Sequence, residues 1–134
     1  MIRFFADTYY FLALTNVKDA AHQRAVRFSQ SHNDAIVTTG WMLTELADGL
    51  SAVGHRPVFA KILAELHNDK DTTIVPFSEA LFSKGIDLYC ARPDKDWSLT
   101  DCISFVVMQQ YALKQALTAD RHFEQAGFQI LLKN

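Results

Sequence analysis

Short apolar runs alternate along the chain with longer segments of mixed polarity. The runs predict five β-strands, four at residues 2–6, 34–39, 72–77 and 128–132, and one contained within residues 115–120. Longer segments with helical character separate these strands. Short apolar strands joined by helices predict a mostly parallel sheet that is covered on both faces.

The longer segments show helical spacing and helical start and stop signals. Met42, Leu46 and Leu50 recur at intervals of four residues, and Gly54 is expected to end that helix. Together the segments predict helices over residues 19–32, 40–54, 56–69, 78–92, 99–114 and 121–127. Residues 7–16 predict the start of a helix, or a loop that leads into one.

The bulk composition is that of an ordinary globular protein. The 134 residues are 49% hydrophobic and 21% charged, which excludes a disordered chain and suits a single domain over residues 1–134. The formal net charge of −2 excludes a broad basic surface for nucleic acid. Any contact with RNA would therefore be local, assisted by a metal ion, or supplied by an oligomer.

The cysteines and the N-terminal segment bear on where the protein is located. Cys90 and Cys102 have neither metal-type spacing nor a disulfide framework, so both are expected to be reduced. Asp7 interrupts the apolar run after Arg3, which is unlike a signal peptide. No window approaches the roughly 18 apolar residues that a membrane span needs. We expect a soluble, cytoplasmic protein.

Four acidic residues fall near the ends of predicted strands or at the start of a helix. Asp7 and Asp120 directly follow strands, and so lie at carboxyl ends. Glu45 lies in the helix after the second strand, and Asp101 lies in the first turn of the helix before the fourth. Sites in parallel sheets form at the carboxyl ends of strands, beside a topological switch point. These four carboxylates are therefore able to converge.

Such a group of carboxylates would be costly without a counterion, because like charges in a partly desolvated pocket raise each other's pKa. A hard divalent cation removes this cost, and oxygen ligands suit Mg²⁺ or Mn²⁺. Ions held in this way assist the hydrolysis of phosphodiesters. The acids therefore indicate metal-dependent chemistry on a phosphodiester.

Each acid also has a purely structural interpretation. Asp7 and Asp120 could cap the helices that begin after them. Asp101 completes a capping-box pattern with Ser98, just before an apolar run. Glu45 could be a solvated residue on its helix. It is the joint placement of the four acids that favours a functional site.

Four segments, taken in order, resemble the motifs of the PIN-domain family. FADTYYFLAL resembles the first motif, a strand that ends in Asp and is followed by a hydroxyl residue and an apolar run. TTGWMLTELADGL resembles the second, and WSLTDCISFVVMQQYALKQALTADRHFEQAGF resembles the third and fourth. Their order, spacing and total length resemble a stand-alone PIN domain, as in VapC-type toxins of toxin–antitoxin pairs.

The resemblance implies a three-layer α/β/α sandwich and an endoribonuclease that depends on Mg²⁺ or Mn²⁺. It also implies an RNA substrate, a possible antitoxin protein as partner, and a homodimer. The residues to which it assigns metal binding and catalysis are Asp7, Glu45, Asp101 and Asp120. Thr8 matches a supporting hydroxyl position, and Ser98 is expected to start the helix of Asp101. Asp96 is an additional acid, either a supporting residue or part of the charged surface.

Basic and aromatic residues flank the acidic motifs. The residues that could contact RNA are Arg92, Lys95, Arg121 and His122. Phosphate contacts position a strand without reading its sequence, although a solvated charged rim would have the same composition. Trp97 could stack on a base, or it could pack against the edge of the sheet.

Other functional classes remain open from the sequence. A PIN module that is inactive, or that is not a toxin, would bind RNA or a protein partner with the same fold. A phosphatase of the haloacid dehalogenase type requires a second Asp two residues after the first, where this chain has Tyr9. A receiver domain requires an acidic pair and a late Lys that are not placed correctly here. The metal-dependent ribonuclease is the leading hypothesis.

Overall fold

The computed structural model describes residues 2–31 and 34–133, and this part of the chain forms five strands and seven helices. The strands are β1 (Ile2–Ala6), β2 (Asp34–Thr39), β3 (Thr72–Val75), β4 (Gln115–Leu117) and β5 (Gln129–Ile130). The helices are α1 (Thr8–Thr15), α2 (His22–Ser29), α3 (Gly40–Gly49), α4 (Arg56–Asn68), α5 (Glu79–Ala91), α6 (Leu99–Gln110) and α7 (Arg121–Gln125).

The strands form one sheet in the order β3-β2-β1-β4-β5, and all four pairings are parallel. The chain runs from central β1 through β2 to β3, and then crosses to the other side of β1 for β4 and β5. The topological switch point therefore lies between the carboxyl ends of β1 and β4. Because Ala6 pairs with Leu117, the next residue beyond each end is Asp7 and Thr118 respectively.

Two apolar clusters cover the two faces of this sheet. Along β1, Phe5 belongs to one cluster, whereas Phe4 and Ala6 belong to the other, as the alternation of a strand requires. Helices α5, α6 and α7 contribute to the first cluster, and α1, α2 and α4 contribute to the second. The prediction of a three-layer α/β/α sandwich around a five-stranded parallel sheet is confirmed.

Helix α6 is the most deeply packed helix near the switch point. Its buried residues are Cys102, Ile103, Ser104, Phe105, Val107 and Met108. Helix α5 approaches it closely at Gly85, where an added Cβ would collide with the side chain of Ile103. This packing holds α6 in place, and with it the first helical turn that contains Asp101.

Several predicted boundaries are wrong by a few residues. The helix predicted over 99–114 ends at Gln110, because Ala112 adopts a left-handed conformation with φ of 54°. The N–H of Leu113 then closes on the Met108 carbonyl at 2.8 Å, which is a Schellman ending made without glycine. The helix predicted over 40–54 ends at Gly49, not at Gly54.

The remaining differences shorten predicted elements. The segment predicted as a helix over 19–32 is helical over His22–Ser29, and its residue 32 lies outside the described residues. The third strand stops at Val75, directly before Pro76, which has no N–H for the ladder. The fourth strand lies within the predicted segment 115–120, and the fifth is shorter than predicted. In the described part of the chain, no helix is long and apolar enough to cross a membrane.

Candidate active site

Asp7 lies at the carboxyl end of β1, beside the switch point, and its exposed fraction is 7%. Its Oδ2 atom accepts a 2.7 Å hydrogen bond from the hydroxyl of Thr118, which is fully buried. The same hydroxyl accepts a 3.0 Å hydrogen bond from the backbone N–H of Asp120. Thr118 therefore connects the residues that follow β1 and β4.

The structure does not support a capping role for the Asp7 side chain. Asp7 occupies the N-cap position of α1, but its side chain makes no capping hydrogen bond among the residues that the structure describes. Thr39, by contrast, caps α3 by accepting the N–H of Met42 at 3.1 Å. The Asp7 carboxylate interacts with Thr118 instead, so the structural interpretation does not explain this acid.

The electrostatic environment of Asp7 is unfavourable for its charged form. The pKa of Asp7 is raised to about 7, mainly by burial and in addition by the negative charges of Glu45 and Asp101. The hydrogen bond from Thr118 opposes this shift but does not offset it. Three acids from three different elements are thus close enough to repel one another.

Glu45 approaches this site from α3. The hydroxyl of Thr8, which is itself buried, donates a 2.9 Å hydrogen bond to Glu45 Oε1. Glu45 is an exposed residue, as the solvated-helix interpretation expected, but its carboxylate is held toward the start of α1. The supporting position predicted for Thr8 is therefore next to a candidate ligand.

Asp101 is both a helix cap and a member of the acidic group. Its N–H donates to Ser98 Oγ at 3.0 Å, and the Ser98 N–H donates to Asp101 Oδ2 at 3.2 Å. This is the predicted capping box. Burial raises the pKa of Asp101, and the charge of Asp120 adds to the shift, while bonds from Ser98 and His122 oppose it.

His122 lies between two of the acids. Its Nδ1 atom is 3.1 Å from Asp101 Oδ2 and 3.5 Å from Asp120 Oδ1. The backbone N–H of His122 also donates to Asp120 Oδ1 at 2.9 Å, so Asp120 does cap α7. Within the described residues, candidate ligand atoms of Asp101, Asp120 and His122 all lie within 4.8 Å of one another.

The other predicted basic and acidic residues lie mostly in a separate depression, which Arg92, Lys95 and Asp96 help to line. Arg92 forms two 3.0 Å hydrogen bonds to Asp94. Asp96 is exposed, and no hydrogen bond or ion pair within the described residues joins it to the four acids. Arg121 is exposed at the first position of α7, directly after Asp120.

Trp97 belongs to the apolar cluster on one face of the sheet. This agrees with the expectation that it packs against the sheet better than with the expectation that it stacks on a base. It is buried, and its indole N–H donates to Gln125 Oε1 at 3.0 Å. Its ring meets Phe105 edge to face, with 5.1 Å between the ring centroids. Only 6% of Trp97 is exposed and the guanidinium of Arg92 lies over its ring, so the structure favours the packing interpretation over stacking on a base.

Thr118 is the one residue of this site to which the sequence assigned no role. It stands two residues before Asp120, inside the segment that resembles the fourth motif of the family. The sheet topology contains the signal that could have identified Thr118. Parallel pairing of β1 and β4 places the residues that follow them, Asp7 and Thr118, side by side. The contact of His122 with Asp101 is also new, since the sequence suggested a contact with RNA.

The residues present fit a divalent cation. The donors are carboxylate oxygens, which Mg²⁺ and Mn²⁺ prefer. The pKa of Asp7 is raised mainly by burial and in addition by two further negative charges, and the positive charge of an ion would offset both effects. This electrostatic strain in the group is what a cation site is expected to show before an ion binds.

This combination of a parallel α/β/α sandwich and acids at its switch point is that of a PIN domain. The chain belongs to the PIN-domain family, whose sequence model matches residues 4–129. The resemblance found in the sequence is thereby confirmed.

Individual relatives are similar over nearly the whole chain. The chain is 28% identical over 128 residues to the 23S rRNA-specific endonuclease VapC20 of Mycobacterium tuberculosis, covering 92% of this chain and 94% of that protein. The crystal structure of VapC20, described as a sarcin–ricin loop cleaving toxin, superposes with a TM-score of 0.83 at 23% identity, covering 93% and 95% of the two chains. VapBC2 from Rickettsia felis, bound to a DNA fragment from its promoter, gives a TM-score of 0.69 at 14% identity, covering 96% and 97%.

Proposed function

We propose that this protein is a metal-dependent endoribonuclease that hydrolyses phosphodiester bonds in RNA. The observation that supports this most strongly is the convergence of acids on Asp7, which is buried and has a pKa raised to about 7. Asp101 and Asp120 cap helices, but within the described residues Asp7 caps none, and a bound cation would compensate for its burial beside these charges. Membership of the PIN-domain family supports the same conclusion independently.

The proposed ligands of the ion are the carboxylates of Asp7, Glu45, Asp101 and Asp120. A bound ion supplies positive charge that polarises the phosphodiester and lowers the pKa of an attacking water. Residues of the chain hold the carboxylates in place: Thr118 fixes Asp7 through Oδ2, Thr8 holds Glu45, and Ser98 holds Asp101. We propose Mg²⁺ or Mn²⁺ as the ion.

RNA would enter along the carboxyl edge of the sheet. Arg121 directly follows Asp120 and is exposed, so it is the basic residue best placed to bind a phosphate beside the carboxylates. Arg92 pairs with Asp94, and its guanidinium carbon lies 5.2 Å from the centroid of Trp97. We therefore assign Arg92 and Lys95 a smaller part in RNA binding than Arg121.

The direct test of this activity is RNA cleavage by Asp7→Asn and Asp101→Asn, each in saturating Mn²⁺. Cleavage should fall by about a hundredfold or more, the scale seen when a group that stabilises a transition state is removed. The control is Asp87→Asn, an exposed acid on α5, which should cleave like the wild type. Full activity in both site variants would contradict the proposal.

The substrate and the protein partner follow from the relatives. Because VapC20 acts on 23S rRNA, the sarcin–ricin loop is the first RNA to test as a substrate. We propose that the chain is the toxin of a toxin–antitoxin pair and acts in the cytoplasm. Expression of the chain alone should arrest growth, and co-expression of a small protein from the adjacent reading frame should relieve the arrest.

The chain is also proposed to form a homodimer through an apolar surface. Phe82, Ile86 and Tyr89 recur at helical spacing on α5 and are exposed, and Phe77 lies close by in sequence and is 61% exposed. A second copy would remove this surface from water. Light scattering should show a dimer for the wild type and a monomer for Ile86→Lys, and a dimer in both would contradict the assignment of this surface.

A further inference from the structure

His122 is the one nitrogen donor that the described structure places among the candidate metal ligands. Its Nδ1 atom faces both Asp101 Oδ2, at 3.1 Å, and Asp120 Oδ1, at 3.5 Å. Its side chain is 31% exposed, compared with 14% for that of Asp101, so the imidazole is partly shielded from solvent. The position is set by the fold, because the adjacent Phe123 is fully buried in the core.

The spacing of these donors suits a shared ion. Ligands about 2.1 Å from an octahedral ion lie about 3 Å apart when they occupy adjacent positions. The separations of 3.1 and 3.5 Å from His122 Nδ1 to the two carboxylate oxygens are close to that value. The three donor atoms all lie within 4.8 Å of one another, and a cation bound by all three would replace the direct contacts of Nδ1 with the two carboxylates.

We propose that His122 is a ligand of the divalent ion, and that it makes the site favour first-row transition ions over Mg²⁺. Mg²⁺ prefers oxygen ligands and gains little from an imidazole, whereas the affinity of nitrogen-containing sites rises from Mn²⁺ to Co²⁺. This inference rests on the proposed function only in that the neighbouring carboxylates bind a divalent ion. It concerns which ion the site selects.

Two other roles for His122 make different predictions. If His122 only orients Asp101 through a hydrogen bond, its loss should weaken all divalent ions by a similar factor, as removal of an outer partner does. If His122 contacts RNA instead, its loss should leave metal affinity unchanged. If His122 is a direct ligand, its loss should lower the affinity for Co²⁺ most and the affinity for Mg²⁺ least.

The experiment measures binding of Co²⁺, Mn²⁺ and Mg²⁺ to the purified full chain without RNA, for wild type and His122→Asn. The Co²⁺ affinity should fall by about tenfold or more, the Mn²⁺ affinity by less, and the Mg²⁺ affinity least. Electron spin-echo modulation from ¹⁴N should be present in the Mn²⁺-loaded wild type and lost in His122→Asn. His67→Asn, at an exposed position on α4, is the matched control and should behave like wild type.

Several outcomes would overturn the inference. These are equal losses for the three ions, unchanged affinities, or ¹⁴N modulation that persists in His122→Asn. His122→Gln, checked for native circular dichroism, provides a second variant if His122→Asn does not fold. Graded losses together with absent RNA cleavage would support this inference while contradicting the proposed function. Absence of saturable binding by any ion would contradict both.

Discussion

The candidate site has two halves, which differ in how deeply their carboxylates are buried and in how many hydrogen-bond donors contact them. In the buried half (Asp7, Thr8 and Thr118), every residue is 7% exposed or less. Asp7 there receives a hydrogen bond from Thr118, but burial dominates and raises its pKa to about 7. The buried half therefore holds a charge that destabilises the fold when no cation is present.

The open half (Asp101, Asp120 and His122) is partly exposed, and each of its acids accepts a hydrogen bond from a backbone N–H. Asp101 accepts the N–H of Ser98 and contacts His122, and Asp120 accepts the N–H of His122. Both acids also begin helices, where negative charge is favourable. The comparison indicates that donors offset part of the burial in the open half, where the pKa of Asp101 is still raised, whereas in the buried half burial outweighs the single hydrogen bond from Thr118.

The pH dependence of stability should show the largest difference between the halves. The pKa of Asp7 rises from 3.8 to about 7 on folding, so in metal-free buffer the folded state binds the extra proton. Stability should fall as pH rises from about 4 to about 7, by on the order of 4 kcal/mol from this residue. Denaturant unfolding of wild type and Asp7→Asn across this range measures the effect.

Asp7→Asn should be more stable than wild type at pH 7.5 without metal, and should show no such gain near pH 4. Asp87→Asn is the control and should follow the wild-type curve. If the curves of wild type and Asp7→Asn run parallel from pH 4 to 7.5, the buried half does not contain the electrostatic cost described above.

The link between the strand ends should have the next largest effect. Thr118→Val removes the hydroxyl that donates to Asp7 and accepts from the N–H of Asp120, which leaves two polar groups without that partner. The expected loss is about 1–3 kcal/mol of unfolding free energy. Thr118→Ser keeps the hydroxyl and should lose much less, and equal losses in both variants would contradict a role for the hydrogen bonds.

The smallest effect is expected in the open half, from its capping box. Ser98→Ala removes the oxygen that accepts the Asp101 N–H, and should cost about 1 kcal/mol of unfolding free energy. Ser78→Ala removes the equivalent cap of α5, where Ser78 accepts the N–H of Leu81, and should cost a similar amount. Mn²⁺ titrations should show weaker binding in Ser98→Ala alone, and equal affinities would show that the cap does not position Asp101.

Much of the fold could be predicted from the sequence because its strands are short apolar runs and its helices are longer. The same pattern placed Asp7 directly after β1, where the structure has it. Asp120 was also expected directly after its strand, but it lies three residues beyond the end of β4, and Thr118 takes the position next to the strand. The end of α6 could not be predicted, since Ala112 adopts a conformation that sequence rules associate with glycine. Tertiary contacts decide such a position, and a local pattern does not contain them.

The contacts within the site were less predictable than the identity of the acids. The hydrogen bond between Thr118 and Asp7 joins residues 111 positions apart and depends on the register of β1 and β4. The contact of His122 with Asp101 depends on how α6 and α7 pack. Family resemblance identifies acids by spacing along the chain, but it does not specify which neighbours hold them.

The central claim is that the buried and open halves form a single divalent-metal site. Calorimetric titration of Mn²⁺ into wild type, Asp7→Asn and Asp101→Asn at pH 7.5 tests this claim most directly. Wild type should bind saturably, and each variant should lose about tenfold or more in affinity while remaining folded. Binding by Asp7→Asn that is as tight as that of wild type would contradict the claim.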